Sequence, residues 1–186
     1  AAGITVPLEK RLRLANTSVL IAGNGGAARG AAFALTEAGA KVSITGRNID
    51  RVRALATACG GQPVTRSQAE AATYDIVVHA TPIGTTPRLH DCFFEKRVPG
   101  KLVFDMVYNP METALIQKAK SQGAESMRLA KLDVILASAS KATVTVRYSI
   151  SGGTATAGAD YTAGGGKLTF RPGQTSTTIT LAIIND

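Results

Sequence analysis

Ser18-Val19-Leu20-Ile21-Ala22-Gly23-Asn24-Gly25-Gly26-Ala27-Ala28-Arg29 is the stretch on which the fold turns. An apolar run of strand length ends in a glycine cluster, and residues 27–35 beyond it have the composition of a good helix former. The order predicts a strand, a phosphate loop and a helix. Gly23 permits the tight turn, Gly25 lets a pyrophosphate approach the backbone, and Ala28 is small enough for the helix to sit against the strand. Backbone N–H groups at the helix start would face the anion. An ordinary tight βα turn can carry the same residues, so the rest of the chain decides.

Working outward, residues 1–17 suit a short amphipathic leader helix, with Leu8, Leu12 and Leu14 among charged neighbours. After the first strand and helix, strands are expected at 41–45, 63–64, 74–80 and 102–107, and helices at 50–58, 67–72 and 113–121. Gly39, Gly60-Gly61 and Gly123 close the helices. Strands alternating with helices predict an α/β fold, a Rossmann-like doubly wound parallel sheet spanning residues 18–130.

Near residue 130 the pattern changes. Val144, Val146, Tyr148 and Ile150 alternate with Thr143, Thr145, Arg147 and Ser149, as in a half-buried antiparallel strand. Turns are expected at 151–153, 164–166 and 171–173, with strands at 167–170 and 177–184. Residues 131–186 therefore read as an all-β antiparallel segment. The alternative is a single α+β domain whose last strands complete one core.

The 186 residues carry a formal net charge of +8, with 45% hydrophobic and 18% charged residues. The basic residues are scattered and few aromatics lie among them, so a phosphate-bearing small molecule accounts for the sign better than nucleic acid does. General solvation accounts for it equally well at most positions. No stretch reaches the roughly 18 apolar residues of a membrane helix, and no signal-peptide pattern opens the chain, so a cytoplasmic location is expected. Cys59 and Cys92 are far apart with only His79 and His90 as imidazole partners. Reduced thiols and no metal site are expected.

Cofactor choice turns on the end of the second strand. A site that prefers NAD places an acid about 20 residues after the glycine loop to bond the ribose. Here the sequence reads Thr45-Gly46-Arg47-Asn48, with Arg51 following. Arg47 can grip a 2′-phosphate by its fork, while Asn48 adds a hydrogen bond and Arg51 a second positive charge. NADP is favoured. Arg47 and Arg51 also fit a solvated helix start.

Gly23-Asn24-Gly25-Gly26-Ala27-Ala28-Arg29, Gly46-Arg47-Asn48, Ala80-Thr81-Pro82-Ile83-Gly84 and Asp105-Met106-Val107-Tyr108-Asn109-Pro110, in this order, resemble the NADP-binding domain of shikimate dehydrogenases over about residues 8–128. The resemblance implies that Gly23, Asn24, Gly25, Gly26, Ala27, Ala28, Arg29, Gly46, Arg47, Asn48 and Arg51 bind the cofactor, with Asn24, Ala27 and Arg29 lining the pyrophosphate turn and Arg47, Asn48 and Arg51 taking the 2′-phosphate. Thr81 and Pro82 then border the adenosine, and Met106 and Tyr108 approach the nicotinamide. His79 stands where asparagine is usual, either as a buried hydrogen-bonded residue or in a catalytic role.

In that family a separate N-terminal domain binds shikimate and supplies a catalytic lysine and aspartate. Only 17 residues precede Ser18 here. Ile4 to Lys10 echoes the lysine motif with its lysine one residue late. Residues 132–186, above all 152–162 and Leu168-Thr169-Phe170-Arg171-Pro172-Gly173, resemble part of a Calx-beta domain, half an immunoglobulin-like sandwich. Asp160 and Asp186 supply too few carboxylates for a tight calcium site. A recombined or chimeric chain is expected that binds NADP(H), lacks the substrate domain and has no catalytic residues of its own. Two alternatives stay open: an NADP-dependent shikimate/quinate dehydrogenase, and an interaction module that forms a homo-oligomer through its β segment.

Overall fold

A computed structural model of the chain describes residues 2–110, 112–150, 155–162 and 164–184. It divides into two compact units, Ala1–Arg128 and Leu129–Asp186.

In the first unit, α1 (Ala2–Glu9) leads to β1 (Ser18–Ala22), α2 (Gly26–Glu37), β2 (Lys41–Thr45) and α3 (Ile49–Cys59). β3 (Gln62–Pro63), α4 (Arg66–Ala71), β4 (Tyr74–His79), β5 (Gly100–Asp105) and α5 (Ala114–Ser121) follow, and β6 (Glu125–Ile135) starts in this unit and ends in the second. The sheet order is β3-β2-β1-β4-β5-β6. Every pair in it is parallel, with Ile21 between Ile44 and Val78, and Val77 beside Val103. This is the doubly wound Rossmann-like order, in which the strand order reverses beside β1 and opens a crevice at the strands' carboxyl ends.

The helices form where apolar residues recur at helical spacing. Ala28, Ala31, Ala32 and Leu35 bury one face of α2, and Val52, Leu55, Ala56 and Cys59 one face of α3. The small residues of α2 let its axis approach β1. α3 starts where the Asn48 side chain accepts from Arg51 N at 3.0 Å and ends at Gly60, left-handed at φ 73°. Leu20, Val77, Phe94, Val103, Leu115 and Ile116 belong to one core cluster, and the Phe93 and Phe94 rings meet edge to face at 5.0 Å.

The leader helix is shorter than residues 1–17. It ends at Glu9, and the amides of Arg11 and Leu12 both donate to the Leu8 carbonyl. Ile4 and Leu8, one turn apart, are buried, whereas Leu14 is buried from non-helical chain. β5 stops at Asp105 rather than continuing to residue 107, because the Asp105 carboxylate captures the Val107 amide at 3.0 Å.

In the second unit, β7 (Val144–Ser149) pairs antiparallel with β8 (Gly165–Phe170), and β9 (Ser176–Ile184) lies beside the part of β6 that belongs to this unit. Val144, Val146 and Tyr148 are half-buried while Thr145, Arg147 and Ser149 are exposed, as the alternation predicts. The turn expected at 164–166 is instead the start of β8. A Cβ on Gly166 would lie 2.9 Å from the Tyr148 ring, so a larger residue there would have to displace the aromatic lying over the strand. The turn expected at 151–153 lies outside the described residues. No helix among the described residues is long and apolar enough to cross a membrane.

Candidate functional site

At the carboxyl ends of β1, β2 and β4 lies a cavity of about 210 Å³. Gly23, Asn24 and Gly25 form one wall, Gly46, Arg47, Asn48 and Arg51 another, and Thr81 and Pro82 a third. Asn24 Nδ2 donates to the Asn48 carbonyl at 3.2 Å, which ties the glycine loop to the end of β2. Gly23 has φ 133°, and its amide donates to the Thr45 carbonyl at 2.8 Å. Nothing lies within 4 Å of where a Cβ on Gly25 or Gly26 would stand, so the loop presents bare backbone to open space. Neither Arg47 nor Arg51 has a carboxylate partner among the described residues, and no acid lines the cavity. The charge balance there is cationic.

Met106 and Tyr108 line a second cleft of about 410 Å³ with Thr85, Thr86, Val107 and Asn109. Thr81 borders both clefts. Gly26, Ala27, Ala28 and Arg29 line neither. Ala28 is fully buried against the turn, and the Arg29 guanidinium lies 5.3 Å above the Phe33 ring on the exposed side of α2.

Arg88 and Phe93 also line the first cavity, and sequence reasoning missed both. Arg88 Nε is held by Asp91 Oδ2 at 3.0 Å, leaving its terminal nitrogens for other partners. The segment carrying Phe93 is anchored from below. Glu70 Oε1 accepts the Glu95 amide at 2.5 Å, and Lys118 Nζ donates to the Phe94 carbonyl at 3.0 Å. No local pattern marks these residues, because contacts far apart in sequence bring them to the cavity.

His79 ends β4 and is completely buried. Its Nδ1 lies 2.9 Å from Asp105 Oδ1 and its Nε2 lies 2.6 Å from Thr81 Oγ1. Asp105 also accepts from the Val107 amide and, at 2.6 Å, from the Thr113 hydroxyl. Cys59 and Cys92 are free thiols, and burial pushes the Cys92 thiol up. Among the described residues no three histidine, cysteine or acidic side chains gather as metal ligands.

The glycine turn, the arginine pair beyond β2 and strands β1 to β5 lie within a stretch, residues 8–113, that the shikimate / quinate 5-dehydrogenase family model matches. The chain belongs to the shikimate/quinate 5-dehydrogenase family. A second family model, the Calx-beta domain, matches residues 109–186.

The chain is 33% identical over 115 residues to the shikimate dehydrogenase (NADP(+)) of Bacillus cereus, a match covering 57% of this chain and 42% of the relative. It is 36% identical over 106 residues to that of an Exiguobacterium strain, covering 57% and 40%. The crystal structure of shikimate 5-dehydrogenase from Thermus thermophilus in complex with NADP(H) and shikimate superposes with a TM-score of 0.60 at 29% identity, over 68% of this chain and 47% of that one. The chain thus spans less than half the length of these family members.

Proposed function

We propose that the cavity at the ends of β1, β2 and β4 binds NADP(H), with Gly23 to Arg29 forming the pyrophosphate turn and Gly46, Arg47, Asn48 and Arg51 receiving the 2′-phosphate. One observation carries the reading: a backbone loop open to an anion faces two arginines that have no acidic partner. Two guanidinium forks next to an N-capping asparagine suit a phosphate monoester and would leave a bare ribose without the acid that normally grips it. Thr81 and Pro82 border the adenosine, and Met106 and Tyr108 in the second cleft stand toward the nicotinamide. When bound, the cofactor supplies the hydride acceptor or donor at its nicotinamide ring.

Among the described residues, neither cleft is lined by a lysine, an aspartate or a glutamate. Oxidising an alcohol requires a group that accepts its proton beside the hydride acceptor. On this reading the described residues hold the cofactor, and turnover of shikimate or quinate needs a proton acceptor supplied from elsewhere. The dinucleotide-binding module spans residues 18–130 after a leader at 1–17, and a Calx-beta-like module spans 131–186 in a chimeric arrangement. A cytoplasmic location fits a module built around a soluble cofactor.

Titration with NADPH and NADH, followed by nicotinamide fluorescence, tests the cofactor reading. NADPH is expected to bind more tightly; equal weak binding of both overturns the role of Arg47. Steady-state NADP(+) reduction with shikimate or quinate at high protein concentration tests the rest, and a substrate-dependent rate would establish a dehydrogenase.

A second reading rests on Leu132 and Ile135 of β6, residues that are 52% and 73% exposed. Apolar side chains so exposed on a strand favour association between copies through the β segment. Sedimentation should show a dimer or larger species that Ile135→Lys dissociates. A monomer at all concentrations excludes this reading.

A further inference from the structure

The geometry points to His79 as a positioning residue: it fixes the Thr81 wall shared by the two clefts and, on the reading that these clefts hold NADP(H), sets how the dinucleotide lies across them. His79 is the last residue of β4, in register with Ala22 of β1 and Asp105 of β5. From there its ring reaches both clefts indirectly. Nε2 holds Thr81 Oγ1, which borders both, and the ring lies 6.2 Å from that of Phe93, which lines the first.

The hydrogen-bond polarity follows from the partners. An ionised Asp105 only accepts, and it already takes the Val107 amide and the Thr113 hydroxyl. Imidazole Nδ1 is therefore the donor to Asp105. In the neutral ring this leaves Nε2 to accept from the Thr81 hydroxyl, while Thr81 Oγ1 accepts the Ile83 amide at 3.2 Å. One relay, Thr113–Asp105–His79–Thr81, thus joins the start of α5 to the loop after β4. A buried network with every member satisfied is stiff, and one with a missing member leaves a buried polar group unpaired. A residue serving only to pack could be apolar. His79 instead commits one ring nitrogen to Asp105 at the end of β5 and the other to Thr81 on the loop that walls the clefts.

Substitutions separate the two bonds. In His79→Asn the amide nitrogen replaces Nδ1 and keeps the Asp105 link but falls short of Thr81, whereas His79→Gln reaches the Nε2 position and keeps Thr81. With the full chain, NADPH and NADH titrations and amide exchange at Ile83 are measured together. For His79→Asn and His79→Leu, exchange at Ile83 is expected to accelerate about tenfold, the consequence of losing one buried hydrogen bond. Both nucleotides should weaken about tenfold with their ratio unchanged, while His79→Gln stays within about threefold of the parent. Thr81→Val, which removes the hydroxyl at nearly constant shape, should reproduce the loss and add little to His79→Asn. It also serves if the histidine variants do not fold.

Parent-like exchange and affinity in folded His79→Asn and Thr81→Val overturn the proposal, as does equal loss in the asparagine and glutamine variants in step with melting temperature. If the parent chain binds neither nucleotide, the cofactor reading fails. The positioning role then stands or falls on Ile83 exchange alone.

Discussion

A Cβ placed on Gly23 would lie 2.6 Å from the carbonyl oxygen of Ala80. The first turn of the chain's opening βα unit is therefore pressed against the end of β4, and the contact is backbone on both sides. Gly23→Ala must push the two strand ends apart and also hold alanine at φ 133°. A loss of about 3 kcal/mol in urea unfolding is expected. Gly25→Ala meets nothing within 4 Å and should leave stability within about 0.5 kcal/mol while weakening NADPH. Equal destabilisation by both would show that the turn, rather than the contact with Ala80, requires glycine.

Arg47→Gln should cost about tenfold or more in NADPH affinity, the worth of a charge-assisted phosphate contact, and leave NADH nearly unchanged. Isothermal titration at two salt concentrations checks it. The NADPH affinity of the parent should fall with salt more steeply than that of the variant.

Asp75 governs acid stability at the opposite end of the sheet. Its carboxylate accepts from the Ser18 amide and hydroxyl at 3.0 and 2.6 Å and meets Lys101 Nζ at 2.8 Å. The Lys101 contact first, and then the Ser18 bonds, lower its pKa from 3.8 to about 2. A pKa depressed by folding gives stability that is complete above about pH 4 and lost as pH falls toward 2. Because Asp75 is 40% exposed and Lys101 72%, screening limits the effect to about 1 kcal/mol. Asp75→Asn should be less stable than the parent at pH 6 by that amount and equal to it near pH 2, by urea unfolding at both values.

Two helix caps differ in depth. Thr113, 1% exposed, accepts the Ile116 amide and donates to Asp105, whereas Thr65 makes an exposed capping box with Gln68. Thr65→Ala should cost about 1 kcal/mol. Thr113→Val also leaves a buried carboxylate oxygen short of a donor and should cost about 2–3 kcal/mol. Chemical denaturation of the two variants ranks them, and equal losses would show that Asp105 finds another partner.

Much of the first unit was legible because its signals are local. The run Val19 to Ala22 and the glycines after it give strand and turn without reference to the rest of the chain, and Gly39 and Gly60 mark helix ends by their backbone freedom. Arg47, Asn48 and Arg51 follow β2 closely enough for strand length alone to put them at the cavity. Local signals also misled. Gly165 and Gly166 read as a turn, yet they are strand residues whose missing side chains admit Tyr148 from the neighbouring strand. The long strand β6 was not anticipated, since its sequence carries neither clear alternation nor a continuous apolar run.

By itself, then, the sequence determined the βα alternation, the parallel sheet and the basic rim of the cavity, because hydrophobic period and turn chemistry act over a few residues. Only tertiary structure decided what completes that cavity and what holds it. Arg88 and Phe93 arrive on a segment pinned by Glu70 and Lys118, and His79 acquires its part from Asp105, a partner 26 residues away across a strand pair. Such bonds depend on register and burial, which are set when the sheet assembles and leave no periodic trace in the chain.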